Sequence, residues 1–153
     1  MSNDVVTVER LIPAPPEAVF ALLADARRHP EIDGSGTVRE AKGEPEPLRL
    51  GSEFGMSMKW LVPYAMKSRV IEFQQDRRIA WQTVPTYPLA DRIAAGRIWR
   101  YELESTDGGT LVRESWDITQ EKPLTKPLVR RIADQTRENM TRTLERIEQV
   151  VTG

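Results

Sequence analysis

The chain has no cysteine and a single histidine in 153 residues. Without cysteine there are no disulfides, thiolate zinc sites or cysteine nucleophiles, a composition that suits a reducing cytoplasm. With His29 alone, every histidine-based triad or metal centre must pass through one imidazole, so no transition-metal site and no cofactor is expected. No apolar run approaches the roughly 20 residues of a membrane span, so stable membrane insertion is not expected. The start, Met1-Ser2-Asn3-Asp4, lacks the basic-then-apolar order of a signal peptide. Neither charge sign prevails, with 22 Lys and Arg against 23 Asp and Glu and no long block of either. That balance leaves no electrostatic footprint for nucleic acid. Gly34-Ser35-Gly36 is not followed by Gly-Lys-Ser/Thr, so it is no P-loop, and the scattered glycines form no dinucleotide fingerprint. The length fits one domain over 1–153, with room for a core or a lined cavity, and the expected location is cytoplasmic.

What is present is a sequence of periods. Val5–Ile12 alternates and is rich in β-branched residues, which predicts a first strand. Pro13-Ala14-Pro15-Pro16 ends it, and Pro15 or Pro16 suits the first turn of a helix ending near Asp25. His29-Pro30-Glu31-Ile32 reads as a second short helical turn, with His29 partly exposed and, beside Asp33, at the mouth of any pocket. From Thr37 the period becomes two. Phe54, Met56, Met58 and Trp60 share one strand face. Ala65–Phe73 and Arg78–Val84 predict a hairpin turning near Gln75-Asp76-Arg77, although Lys67 and Arg69 share parity with Ile71 and Phe73, which leaves their facing open.

The last hairpin carries its own register. Asp107-Gly108 predicts a two-residue type I′ turn. With Thr106 opposite Gly109, Leu103 faces Val112, Tyr101 faces Glu114 and Trp99 faces Trp116. Paired residues share a side of the sheet. One face therefore holds Trp99, Tyr101, Leu103, Val112, Trp116 and Ile118 with a lone carboxylate, Glu114, among them. Arg100, Glu102, Glu104, Arg113 and Asp117 take the other face.

From Leu124 to Val151 the period returns to 3.6. Leu128, Ile132, Thr136, Asn139 or Met140, Thr143, Ile147 and Val150 form the expected inward stripe, with Arg130–Asp134 and Glu138–Arg142 as i,i+4 pairs outside. Thr136, Asn139 and Thr143 are polar where a dry core favours Leu or Ile. They predict either local hydrogen bonds or water and ligand behind the helix.

The resulting expectation is an α+β helix-grip fold. A curved antiparallel sheet of about seven strands wraps a long C-terminal helix, with two short helices after the first strand. On Val8–Phe20, Arg78-Ile79-Ala80-Trp81, Trp99-Arg100-Tyr101-Glu102-Leu103 and 109–116, the chain resembles the START-like superfamily, also called SRPBCC. Its nearest likeness there is to small bacterial polyketide cyclase/dehydrase-like proteins. The resemblance covers nearly the whole chain and is specific for fold. It implies a small hydrophobic or amphipathic ligand, such as a lipid, polyketide or aromatic metabolite, in an internal cavity. Related receptors use a Glu at the matching strand position for water-bridged ligand contacts.

Three readings of Glu114 follow. Desolvation would raise its pKa towards neutrality and suit it, with Tyr101, to general acid–base work in a cofactor-independent cyclase or dehydratase. It would equally serve as a ligand contact in a binding or carrier protein. Or it pairs with an inward Lys67 or Arg69 as a buried ion pair. Phe54, Met56, Met58, Trp81, Trp99, Tyr101, Val112, Glu114, Trp116, Ile132, Thr136, Asn139 and Thr143 are the expected cavity lining, around a space of roughly 300–1,000 Å³. The connections holding Trp60, Leu61, Pro63 and Tyr64, and Tyr87 and Leu89, are unusually apolar. They predict lids over a ligand or a self-association surface, hence a homodimer or a protein-interaction module as the alternatives.

Overall fold

The computed structural model describes residues 4–33, 38–42, 47–59, 63–85, 96–121, 123 and 126–153; for 38–42, 56–59, 63–66, 84 and 85 it describes the backbone. The first strand, β1, is Val5–Ile12. Pro15 is extended and Pro16 opens α1 (Pro16–Leu23), where its missing N–H has no partner to lose. Val19, Phe20, Leu22 and Leu23 form the buried stripe of α1. Asp25 then caps a 3₁₀ turn, Ala26–Arg28, by accepting from the Arg27 N–H, and α2 (His29–Ile32) follows.

The strands are β2 (Val38–Lys42), β3 (Glu53–Lys59), β4 (Pro63–Gln74), β5 (Arg78–Pro85), β6 (Arg97–Thr106) and β7 (Gly109–Asp117). Among the described residues they form one seven-stranded sheet in the order β1-β7-β6-β5-β4-β3-β2, with every neighbouring pair antiparallel. The chain thus meanders from β2 to β7, and β1 returns along β7 with Val8 opposite Glu114. The predicted register of the last hairpin is present in full: Thr106 with Gly109, Leu103 with Val112, Tyr101 with Glu114, Trp99 with Trp116. Its turn differs from the expectation. The left-handed backbone falls on Gly109 (φ 134°), not on Asp107 or Gly108. A Cβ on Gly109 would come within 2.2 Å of the Ile12 carbonyl oxygen, so only glycine lets β1 approach there.

The facing of Lys67 and Arg69 is decided by a β-bulge. Val70 pairs with Trp81 and Glu72 with Ala80, leaving Ile71 as the extra residue. Ser68 and Val70 therefore point inward before the bulge, and Phe73 packs against the core after it. Lys67 and Arg69 are exposed, and Lys67 Nζ lies 3.1 Å from Glu53 Oε2. Neither is a partner for Glu114, so the buried ion-pair reading is corrected. The convex face is a belt of opposite charges: Arg100 bridges Glu72 at 2.6 Å and Asp117 at 3.5 Å, Arg78 joins Glu72, and Arg113 meets Glu9 at 2.7 Å.

The closing helix is interrupted. α3 (Lys126–Arg130) is followed by α4 (Ala133–Thr152). At the break, the N–H groups of Arg131 and Ile132 reach back only three residues, to Leu128 and Val129. That tighter turn resets the helical phase. Val129 turns inward, whereas Leu128 and Ile132 are 61% and 46% exposed, which corrects the expected stripe and removes Ile132 from the cavity lining. Thr136, Met140, Thr143, Leu144 and Ile147 are the buried positions of α4. Arg130 pairs with Asp4 at 2.7 Å instead of with Asp134, whereas Glu138 and Arg142 do approach, at 3.9 Å.

α4 packs against β1, β7, α1 and α2. The core beneath divides in two. One cluster gathers α1, Trp81, Tyr101, Leu103, Val112, Leu144 and Ile147; the other gathers Val6, Trp116, Ile118, Val129 and Met140. Val8 and Trp99 pack against both. Pro63 and Tyr64 belong to the backbone of β4, opposite Lys59 and Met58, not to a loop as expected from their composition. Trp60, Leu61, Tyr87 and Leu89, and the side chains of Pro63, Tyr64, Met56 and Met58, lie outside the described residues.

Candidate functional site

Glu114 stands on β7 where the two core clusters meet, with Val112 of one and Trp116 of the other as its neighbours on the same face. The sheet places it there by alternation alone, since even positions 112–116 of β7 turn inward. It is 2% exposed. Tyr101 faces it from β6 and hydrogen bonds to its carboxyl, and Oε1 has no hydrogen-bond partner among the described residues. Burial pushes the carboxyl up to about 8; the Tyr101 hydrogen bond pulls against that shift, and the negative charge of Asp33 adds to it. The Tyr101 phenol is in turn pushed well above its ordinary value by burial and by Glu114.

Aromatic rings continue from this pair across the concave face. Trp81 and Tyr101 have centroids 5.6 Å apart, Phe54 meets Trp81 edge-on at 5.6 Å, and Trp99 tilts over Trp116 at 6.4 Å. His29 is sandwiched into this set, stacked on Trp81 at 4.9 Å and edge-on to Phe54 at 5.5 Å. The structure corrects its expected exposure: the residue is 7% exposed, and its Nε2–H donates to the Leu23 carbonyl at 2.9 Å. Burial pushes the imidazole down, which keeps it neutral around pH 7.

Of the expected lining, Phe54, Trp81, Trp99, Tyr101, Val112, Glu114 and Trp116 share the concave face of the sheet, and Thr136 and Thr143 are buried on α4. Asn139 is half-buried, with its amide oxygen taking a hydrogen bond from Gln135 at 3.0 Å. The Thr143 hydroxyl donates to the Asn139 carbonyl at 3.1 Å, a local bond of the kind anticipated for polar residues in this stripe. The sequence reading missed a buried hydroxyl pair, Ser68 and Thr83, 2.8 Å apart on the same face as Phe54 and Trp81. Their parity with Val70 and Trp81 was the available signal. A cleft of about 440 Å³ lies elsewhere, between α1 and the β4–β5 turn, with Phe20, Leu48 and Phe73 among its walls and none of the expected lining residues.

A curved sheet gripping a helix, with an aromatic concave face that holds the buried Glu114 carboxyl, defines a helix-grip protein of the START-like (SRPBCC) superfamily. Within it, the chain belongs to the family described as "Polyketide cyclase / dehydrase and lipid transport", whose model matches residues 4–152. It is 39% identical over 108 residues to uncharacterized protein Rv0088 of Mycobacterium tuberculosis, a match covering 69% of this chain and 44% of the relative. The match thus spans under half the length of that relative. Among solved structures, protein CV1439 from Chromobacterium violaceum superposes with a TM-score of 0.73 at 15% identity, covering 99% of both chains. DynU16, from the dynemicin biosynthetic locus, superposes with a TM-score of 0.66 at 13% identity, over 97% of this chain and 47% of its own. At such identities these two likenesses carry the fold. No helix among the described residues is long and apolar enough to cross a membrane.

Proposed function

We propose that this chain binds and carries a small apolar molecule against the concave face of its sheet, with Glu114 and Tyr101 meeting its polar group. The carrying observation is the Glu114 carboxyl itself: buried among aromatic side chains, with Oε1 unpartnered. Buried polar atoms are rarely left unpaired unless something else completes them. The family's association with lipid transport and polyketide chemistry supports the same class of ligand. Native mass spectrometry of protein purified from its own host, followed by denaturation and identification of released small molecules, tests the reading. A stoichiometric apolar metabolite is the expected result, and repeated isolation of bare protein that also binds no apolar probe would overturn it.

A second reading, a cofactor-independent cyclase or dehydratase, is favoured by the shift of Glu114 to about 8, which makes it a proton donor poised near neutral pH. In that reading Glu114 protonates a hydroxyl that departs as water, and the carboxylate left behind, steadied by Tyr101, takes the proton lost from the neighbouring carbon, which restores the acid. DynU16, a structural relative, comes from a biosynthetic locus. Glu114→Gln separates the readings, because turnover is lost in an enzyme whereas affinity falls only modestly in a carrier.

A further inference from the structure

The groups around Glu114 decide what its free oxygen can receive. Oε1 is buried without a partner, and the Tyr101 hydroxyl already serves the carboxyl from β6. Among the described residues no free cation faces it. Arg10 on β1 is held by Glu148 of α4 at 3.2 and 3.3 Å, and Arg97 on β6 by Glu121 at 2.9 Å. Arg146 of α4 donates to the Asp33 carbonyl at 2.7 Å, and Lys67 and Arg69 of β4 point away. β5 contributes Trp81 and Thr83 to this face, both uncharged, while α2 brings the neutral His29 and, just beyond it, the acidic Asp33. An uncompensated carboxylate in such surroundings is costly, so the proton remains on Glu114. A protonated carboxyl has one O–H to give, and among the described residues no acceptor takes it from Oε1.

We propose that the site selects an uncharged apolar ligand bearing an acceptor oxygen, a ketone, ester or ether, which takes a hydrogen bond from Glu114, and that it rejects ionised fatty acids and amines. This rests on the ligand-binding reading above and narrows it. A fatty carboxylate would bring a second negative charge to a site already under that of Asp33, where the described residues offer no free cation. An ammonium ion would lose its own hydration and require Glu114 to ionise.

The test uses four probes of one size: 2-ethylnaphthalene, 2-acetylnaphthalene, 2-naphthoate and 2-naphthylmethylamine, titrated calorimetrically near pH 6.5. The ketone is expected to bind roughly tenfold tighter than the hydrocarbon, the gain of one hydrogen bond, and both charged probes to bind more weakly than the ketone. The ketone's advantage should decline as pH rises through about 8. Glu114→Gln, whose amide still donates, should keep the preference without the pH dependence. Glu114→Leu should erase the preference for the ketone over the hydrocarbon. Equal binding of ketone and hydrocarbon, or tighter binding of either charged probe, overturns the selectivity and leaves the ligand-binding reading standing. Failure of all four probes to bind overturns both.

Discussion

His29 lies flat against Trp81, their ring centroids 4.9 Å apart and their planes 21° from parallel, while its Nε2–H is spent on the Leu23 carbonyl. The imidazole is therefore part of the wall joining α2 to the sheet, and protonating it would place a charge inside that wall. Burial lowers its pKa in the folded state below the ordinary 6.5. Above that value neither state binds the proton. Below it the unfolded chain binds the proton first, so stability drains away as pH falls. A thermal series from pH 7 to about 5 should show His29 costing up to about 2 kcal/mol, and His29→Phe should flatten that slope. An equal slope in the variant would place the titrating group elsewhere.

Glu114 acts with the opposite sign. Its folded value, about 8, lies above the unfolded 4.5, so folding retains a proton that the unfolded chain releases between those limits. The group favours the folded state in acid and loses that advantage as pH rises to about 8. Gln at this position has no proton to lose. The melting temperature of Glu114→Gln relative to the unaltered chain should therefore climb between about pH 5 and pH 8 and level off above. The size is a few kcal/mol at most, at 1.36 kcal/mol for each pKa unit.

Gly109 tests the junction of β1 with the last hairpin. With φ at 134° and no room for a Cβ beside the Ile12 carbonyl, Gly109→Ala strains the backbone and pushes the two strands apart. A loss of about 2–4 kcal/mol in urea unfolding is expected, above the ordinary cost of a surface glycine replacement. Gly51, also at positive φ but with open space around it, is the control and should lose less on the same change.

On the convex face the charges are not equivalent. Glu72 is shared by Arg100 and Arg78, and those two guanidinium groups hold its carboxyl below the usual range. Its contribution exists above the unfolded pKa and is lost as pH falls through the lower folded value. Glu72→Gln should cost about 1–2 kcal/mol at pH 7 and little once the pH has fallen through the lowered folded value. Lys67→Ala, which breaks an exposed pair with Glu53, should stay within about 0.5 kcal/mol. Equal losses from both would argue against the belt acting as a network.

The last hairpin was legible because period-two patterning and a two-residue turn fix register together, and the facing of Glu114 came with it. The turn's backbone was not legible, since the glycine that needed positive φ was chosen by the approach of β1, a contact distant in sequence. The period of the closing helix is legible in the sequence and its phase is not. Its break at Arg131 and Ile132 has neither glycine nor proline to mark it, so Leu128 and Ile132 counted as inward residues although they are exposed. The burial of His29 is hidden from the sequence for a related reason. Its neighbours Arg28, Pro30 and Glu31 describe a polar turn, whereas the rings that bury it arrive from β3 and β5.

The extra residue at Ile71 gives β4 two halves of opposite sense, one on each side of it. With 72–74 held on β5, taking Ile71 into the ladder opposite Trp81 would slip 67–70 by one place and turn them over as a block. Lys67 and Arg69 would enter the space shared by Phe54, Trp81 and Glu114, and Ser68 and Val70 would go to water. An oily interior with one hidden acid would become a basic one without any residue being substituted. The bulge between Val70 and Glu72 is therefore as much a determinant of what this chain can hold as any side chain facing the ligand.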